Sequence, residues 1–253
     1  MAYNKVILAG TVLAEPEFNM DAAHGDVLNI KLHIRRNDIG KAEVITVSIF
    51  NDELMGQAMN EISQGDYLVI TNARIITTNY NKVSPVICPV CQNVEYKSTK
   101  AEKTEVEVFD YQVMKNIDES VAIGINKVFL LGNVCSALNF RPGSNKNGKD
   151  YIKYKLAVNR SGKKDKNKEK TADYPFIVSF NQEATSASKY LKLSSAVLVE
   201  GAVQEREISQ KNECHCSVCH NDSAPKAKSI VREIITTKVD YLYNINTLED
   251  IGN

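Results

Sequence analysis

The feature that most limits how this chain can fold is an internal repeat. The segment NKVILAGTV at residues 4–12 returns as NKVFLLGNV at residues 126–134. LNIKLHIRR at 28–36 and ITVSIFN at 45–51 return in the same order as IKYKLAVNR at 152–160 and PFIVSFN at 175–181. Because a chain of 253 residues has room for two domains of ordinary size, the repeat indicates two similar domains.

Within each half, apolar and polar residues alternate over most of these segments, which is typical of strands with one buried face. A helix-like stretch follows at 52–62 and again at 182–193, and further strand-like segments come after it. Five strands and one short helix in this order predict an all-β chain of two tandem OB-folds, which are five-stranded Greek-key barrels. We assign residues 1–118 to the first barrel, 119–124 to a linker, 125–243 to the second barrel and 244–253 to a short tail.

The composition is that of a globular protein, with 43% hydrophobic and 25% charged residues. Its 31 basic and 31 acidic residues cancel, so the overall charge does not favour a nucleic-acid partner, and any basic surface must be local. The first residues show no signal-peptide pattern, and no apolar run reaches membrane-spanning length. We therefore expect a cytoplasmic protein with no membrane partner.

Four of the six cysteines form two Cys-x-x-Cys pairs at matching places in the repeat. Cys88 and Cys91 lie between the fourth and fifth strands of the first half, and Cys216 and Cys219 lie at the same place in the second. In a reducing compartment such pairs are typical of metal sites, and structural zinc takes four ligands. We hypothesise that these four thiolates share one structural Zn²⁺ and clamp the two barrels together, within one chain or between two.

Two other interpretations of the cysteines stay open. Cys214, Cys216, Cys219 and His220 could form a self-contained site in the second half, although the first pair would then hold only two thiols. The cysteines could also be unliganded. Cys135 has no cysteine near it in sequence and is interpreted as structural.

The second half resembles the bacterial and phage-type single-stranded-DNA-binding protein family in INKVFLLGN (125–133), LAVNR (156–160) and VLVEG (197–201). The first half is a more diverged copy that retains EPEF (15–18) and QGDYLV (64–69). The resemblance implies a sheet face that stacks bases and loops that wrap a single strand. It also implies a homodimer with four barrels, association with the nucleoid, and replication or recombination proteins as partners.

The chain has no tryptophan, so tyrosine and phenylalanine must supply the flat faces on which bases stack. By the family pattern these residues are Tyr174 and Phe180 in the second half and Phe50 in the first, where Val44 replaces the other aromatic residue. Tyr80 lies near a further stacking position. Because the first half lacks one aromatic residue, we expect the two barrels to bind unequally.

Basic residues that recur in both halves are the candidates for phosphate contacts, because each phosphate neutralised adds salt-sensitive affinity. The recurring pairs are Lys5 and Lys127, Lys31 and Lys155, and Arg36 and Arg160. The set is extended by Arg35, Arg74 and Arg206, and by Lys163 and Lys164 at the start of a lysine-rich loop that, in the family, wraps the strand.

We predict that the protein is not an enzyme. No nucleophile elbow, phosphate-binding glycine loop or metalloprotease helix occurs in the sequence, and a site of four thiolates is closed to substrate. We predict instead that it binds and protects single-stranded DNA without strong sequence preference, in replication, recombination or repair. The alternatives are a protein-interaction module of a replication or conjugation complex and an RNA-binding protein.

Overall fold

The computed structural model describes residues 3–21, 25–36, 40–118, 122–143, 148–160, 172–211, 214–223 and 226–243. These residues form mostly β-strands, together with two helices of 10 residues each. Crossing a bilayer takes a helix of about 20 apolar residues, so neither of these two helices can span a membrane.

The first half forms one closed barrel. Its elements are β1 (Tyr3–Val12), β2 (Glu17–Asp21), β3 (Gly25–Arg36), β4 (Lys41–Ile49), α1 (Asp52–Glu61), β5 (Tyr67–Ile87) and β6 (Val94–Met114). β1 pairs antiparallel with β3 and β5, β3 pairs with β2 and β4, and β5 pairs with β6. Parallel pairing of β4 with β6, between Ser48 and Glu107, closes the sheet into a barrel.

The second half repeats this arrangement. Its elements are β7 (Ile125–Val134), β8 (Asn139–Arg141), β9 (Tyr151–Asn159), β10 (Ala172–Asp173), β11 (Phe176–Phe180), α2 (Asn181–Tyr190), β12 (Ala196–Lys211), β13 (Cys214–His215), β14 (Asp222–Ser223) and β15 (Lys226–Tyr243). β7 pairs with β9 and β12, β9 with β11, and β12 with β15. Parallel pairing of β11 with β15, between Ile177 and Ile234, closes this barrel. The predicted all-β architecture of two OB-type barrels with one short helix each is confirmed, and both helices end slightly earlier than the sequence predicted.

Each barrel has an apolar interior made by alternate residues of its strands. In the described residues, the largest fully buried side chains are Tyr154, Leu8, Leu28, Ile30, Leu32, Ile34, Ile45, Ile49, Leu68, Ile70, Ile75 and Leu130. The glycine near the end of each repeated first strand allows a neighbouring strand to approach closely. A Cβ at Gly10 would lie 2.6 Å from the carbonyl oxygen of His33, and one at Gly132 would lie 2.4 Å from that of Ala157.

The two barrels are joined by antiparallel pairing of their first strands. β1 runs beside β7, and Val6 lies opposite Val128, which is its own counterpart in the repeat. Residues that pair with their own copies flank a two-fold axis, so a pseudo-two-fold axis passes between Val6 and Val128 and relates the two halves. The strands in the order β5-β1-β7-β12 therefore form one continuous sheet through both barrels.

A repeated asparagine stands where β5 and β12 turn away from this sheet. Asn4 Nδ2 donates to the carbonyl oxygen of Ile75 at 2.7 Å, and Asn4 Oδ1 accepts from the Ile75 N–H at 2.8 Å. Asn126 makes the same two bonds with Val203, at 2.8 and 2.9 Å. Each side chain thus replaces the strand partner that the backbone of β5 or β12 loses at this point.

Beyond the asparagines, the last two strands of each half continue as long two-stranded ribbons. We define the first arm as residues 77–104, whose pairing runs from Thr77 opposite Thr104 to Ile87 opposite Val94. We define the second arm as the described residues of 205–232, with pairing from Glu205 opposite Arg232 onward. The sequence predicted only short strands before and after a cysteine-bearing insertion. Polar and apolar residues are mixed on both faces of the ribbons, so the sequence has no regular alternation there that could reveal them.

We expect Asn126→Ala to lower the free energy of unfolding by about 2 to 4 kcal/mol, because the N–H and C=O of Val203 lose their partners inside the protein. Asn126 is only 2% exposed and also donates to Glu43 at 2.8 Å. The control is Asn4→Ala, which removes the less buried copy and should cost less. Urea unfolding at pH 7 measures the loss of unfolding free energy in both variants. Equal losses would contradict the prediction that the more buried asparagine contributes more.

Candidate nucleic-acid surface and cysteine centre

The four cysteines of the two Cys-x-x-Cys pairs meet at the tips of the two arms. Their sulfur atoms all lie within 4.8 Å of one another. Cys88 Sγ is 3.5 Å from Cys219 Sγ, and Cys91 Sγ is 3.5 Å from Cys216 Sγ. Disulfide sulfurs lie about 2.05 Å apart, whereas four sulfurs about 2.3 Å from one tetrahedral metal ion lie about 3.8 Å apart. The spacing therefore fits four thiolates around a single ion, as the shared-site hypothesis requires.

The two tips have the same backbone conformation. The N–H of Cys88 donates to Asn93 O at 2.9 Å, and the N–H of Cys216 donates to Asn221 O at 3.1 Å. The residue after the second cysteine of each pair has a positive φ, 60° for Gln92 and 56° for His220. Exchanging the two halves also exchanges the two sulfur pairs at 3.5 Å, so the cysteine centre lies on the pseudo-two-fold axis.

Polar groups around the cysteine centre favour the thiolate form of Cys219. They also connect the tips of the two arms. The Asn221 amide nitrogen lies 3.4 Å from Cys219 Sγ, and this hydrogen bond is the main cause that lowers the pKa of the Cys219 thiol to about 6. The N–H of Ser217 donates to Glu95 Oε1 of the first arm at 2.7 Å. The self-contained alternative site is not supported by this grouping, because both second-half thiols face first-half thiols; the Cys214 side chain lies outside the described atoms.

An aromatic and basic surface covers the outer face of β9 and β11 in the second barrel. The Phe176 ring lies 3.9 Å from Lys153 Nζ and 4.8 Å from Lys155 Nζ. At the other end of the same face, the rings of Tyr151 and Phe180 are 5.6 Å apart. We call these five residues the platform.

The predicted stacking residues are distributed over several elements. Phe180 is part of the platform and is 38% exposed. Tyr174 lies half-buried between β10 and β11, and its N–H donates to Thr77 Oγ1 of the first arm at 2.9 Å. Phe50 lies half-buried after β4 of the first barrel, and Tyr80 lies on the first arm, with Lys103 Nζ 6.0 Å from its ring centroid.

Sequence reasoning missed Tyr151, Lys153 and Phe176. The signal that could have found them is the period of two along a strand: Tyr151, Lys153 and Lys155 alternate with buried residues, so they share one face of β9. Their position beside Phe176 depends on the pairing of β9 with β11, in which Lys155 lies opposite Phe176.

Most of the predicted phosphate-binding residues form ion pairs within the chain. The pairs are Lys31–Glu17 at 2.7 Å, Arg36–Glu43 at 3.9 Å, Arg74–Glu107 at 2.7 Å, Lys127–Glu200 at 3.3 Å, Lys155–Glu102 at 2.8 Å, Arg160–Asp173 at 2.7 Å and Arg206–Glu233 at 3.0 Å. Lys5 lies half-buried on β1, and Arg35 is exposed near the end of β3, where it lines a cavity of about 330 Å³ with Arg36 and Lys41. Lys163 and Lys164 lie outside the described residues.

Two of these arginines occupy equivalent structural positions. Arg160 donates from Nε and Nη2 to Asp173, a fully buried carboxylate, at 2.9 and 2.7 Å. This hydrogen bonding is the main cause that raises the pKa of Arg160. Arg36 faces Glu43 at the corresponding place in the first barrel. Arg160 therefore secures a buried acid, and less of its guanidinium remains available for DNA.

Glu233 lies beneath one edge of the platform. Its carboxylate binds Lys153 and, at 3.0 Å, Arg206, and its side chain is only 4% exposed. Burial by itself would raise the pKa of Glu233, but the hydrogen bonds from Arg206 and Lys153 outweigh burial and hold the pKa below its ordinary value. The carboxylate thus fixes two cations of this face in place.

We expect Glu233→Gln to lower the free energy of unfolding by about 2 kcal/mol at pH 7, because hydrogen bonds to charged groups contribute on that scale. A lowered pKa in the folded state means that the stabilisation is present above the ordinary pKa and is lost as pH falls through the folded value. The difference between wild type and variant should therefore shrink below pH 4.5. Urea unfolding at several pH values measures it, and a difference that grows on acidification would refute the assignment.

Comparisons with known proteins agree with this geometry. Residues 125–224 match the model of the single-strand binding protein family. The matched residues lie in the second barrel. The resemblance noted in its sequence is thereby confirmed, and the first barrel is its structural repeat.

Solved structures agree at the level of the fold. The wild-type single-stranded DNA binding protein from Thermus aquaticus superposes with a TM-score of 0.62 at 14% identity, covering 96% of this chain and 94% of that one. A deletion mutant of the same protein gives a TM-score of 0.62 at 14% identity, with 96% of each chain covered. Identity this low shows a shared fold. No curated protein matches the sequence.

Proposed function

We propose that this chain binds single-stranded DNA without strong sequence preference and thereby protects it during replication, recombination or repair. The observation that carries the proposal is the platform, where three aromatic rings and two lysines share one face of a family barrel. Every base has a flat face, so stacking on Phe176, Phe180 and Tyr151 would be tolerant of sequence. The lysines supply charge for the phosphates, and this role needs no catalytic group.

The second barrel would do most of the binding. In the first barrel Lys31 lies opposite Thr46, whereas its counterpart Lys155 lies opposite Phe176. Thr46 is also engaged by the second arm: its N–H and Oγ1 each donate to the Glu205 carboxylate at 3.2 Å. The corresponding face of the first barrel therefore has a threonine and a bound carboxylate where the second barrel has an aromatic ring.

The wider assembly is part of the same proposal. We take residues 1–118 and 125–243 as the two domains, joined by 119–124, and expect the chain to form a homodimer with four barrels, as the family resemblance implies. Replication or recombination proteins would be its further partners, in the cytoplasm at the nucleoid. Light scattering after size exclusion gives the mass of the assembly directly.

The proposal is tested by fluorescence anisotropy with labelled oligo-dT, a matched RNA and a matched duplex at two salt concentrations. We expect tight, salt-sensitive binding to the single DNA strand. Phe176→Ala should weaken it by about 1 to 3 kcal/mol, the range for one stacked base. The control is Phe50→Ala in the first barrel, which should weaken it less. Preference for RNA would favour the RNA-binding alternative, and no binding to any probe would favour the protein-interaction module.

We also propose that the cysteine centre binds one structural Zn²⁺. The supporting observation is the donor set, four sulfurs at tetrahedral spacing on two turns of the same conformation. Cys88, Cys91, Cys216 and Cys219 would hold the ion, which supplies a cross-link between the arms. A site of four thiolates leaves no open position for substrate, so its role is structural.

We expect one zinc ion per chain by elemental analysis, and Cys219→Ser should abolish tight binding and lower the melting temperature. Structural zinc takes four ligands and each tip offers only two thiolates, so loss of one ligand leaves a site that is too weak to hold the ion tightly. Cys135→Ser is the matched control: Cys135 is exposed, lies outside the centre and should leave both values unchanged. Sharing between chains would also give one zinc ion per chain, because a symmetric dimer then holds two sites. Dimers that dissociate on chelation would show that arrangement instead.

A further inference from the structure

One cation of the platform is bound by a carboxylate from the other half of the chain. Lys155 Nζ lies 2.8 Å from Glu102 Oε1, and Glu102 belongs to the first arm. The two side chains are 27% and 25% exposed, so the pair lies at the surface and solvent reaches it. Lys155 Nζ is also within 4.8 Å of the Phe176 ring centroid, which places this carboxylate beside the proposed stacking residue.

The first arm delivers Glu102 to this place because it is attached on both sides. At its base, the N–H of Thr77 donates to Asp173 Oδ1 of the second barrel at 2.8 Å. Two residues from Glu102, the carbonyl oxygen of Thr104 accepts from Arg232 Nη1 of the second arm at 3.0 Å. At its tip, the arm joins the cysteine centre. The position of Glu102 over the second barrel is therefore built into the architecture.

The two acids that bind platform lysines differ in whether DNA could displace them. Glu233 belongs to the second barrel, is 4% exposed and binds both Lys153 and Arg206. Glu102 stands on an arm, is 25% exposed and binds a single lysine. A phosphate arriving at the platform could replace Glu102 without uncovering a buried charge, whereas replacing Glu233 would leave a buried carboxylate unpaired.

We infer that Glu102 is an internal competitor that occupies a phosphate subsite at Lys155, so that a bound strand must displace it. The inference rests on the proposed function and adds a residue that sets its affinity and salt dependence. In the free protein Lys155 is already neutralised by Glu102. Binding of a phosphate to Lys155 therefore exchanges one anion for another and releases few counterions. The displaced carboxylate of Glu102 then repels the bound DNA strand.

The competition by Glu102 can be measured from how steeply the affinity for oligo-dT falls with salt concentration. Each phosphate neutralised on a single strand contributes about −0.7 to the slope of log K against log salt. Glu102→Gln frees Lys155 to act as a full phosphate contact, so the slope should steepen by about 0.7. Partly exposed ion pairs are weak, so we expect oligo-dT to bind about threefold to tenfold more tightly in the variant at low salt. A merely structural role for Glu102 would not steepen the slope.

The experiment is an anisotropy titration of oligo-dT against wild type, Glu102→Gln, the double variant Glu102→Gln/Lys155→Gln, and Glu17→Gln, each at four or more salt concentrations. Glu17→Gln is the matched control. It removes one negative charge, as Glu102→Gln does, but from the carboxylate that lies 2.7 Å from Lys31 within the first barrel. Lys31 is the repeat counterpart of Lys155. Circular dichroism and thermal melting check that each variant is folded.

The inference is supported if Glu102→Gln alone tightens binding and steepens the slope, and the double variant loses both gains. It is overturned if Glu102→Gln behaves like wild type, if Glu17→Gln gives an equal gain through net charge, or if the double variant keeps the gain. In each of these cases wild type still binds, so the proposed function stands. If wild type does not bind oligo-dT at any salt concentration, the proposed function and this inference fall together.

Discussion

The antiparallel pairing of β1 with β7 is the interaction on which the rest of this structure depends. Because Val6 lies opposite its own repeat counterpart Val128, the register of these strands places a pseudo-two-fold axis between the halves. The two barrels, the two arms and the two cysteine-bearing tips are related by that axis. A shift of register by one residue would turn the strands' buried faces outward, so the apolar alternation of both strands maintains it.

The two arms follow from this axis. Each ribbon leaves the shared sheet at an asparagine that satisfies the backbone of Ile75 or Val203, and each then contacts the opposite barrel. The first arm reaches Asp173 and Lys155, and the second reaches Thr46. The axis brings the tips together, so each Cys-x-x-Cys turn meets its own copy. The two sulfurs of each turn thereby combine into one centre of four sulfurs.

The two barrels have the same fold, but they differ in the surface that the arm of the other half contacts. In the second barrel, Phe176 and two lysines form a surface suited to a nucleic-acid strand, with Glu102 on its edge. In the first, Thr46 holds Glu205, which Arg232 binds at 2.7 Å. The arms thus connect the proposed zinc site to the proposed DNA surface, because the ribbon that ends in two thiolates also carries the carboxylate on Lys155.

The sequence by itself determined the two-barrel fold, the equivalence of the cysteine pairs and the resemblance of the second half to the single-strand binding protein family, because repeated alternation and short motifs are local properties of the chain. It could not determine that β5 and β6 extend into an arm, since polar and apolar residues are mixed on both faces of the ribbon. Only the tertiary structure decided that Lys155 meets Phe176 on one side and Glu102 on the other. Those contacts depend on strand register and on a ribbon crossing from the other half, and neither leaves a pattern among residues adjacent in sequence.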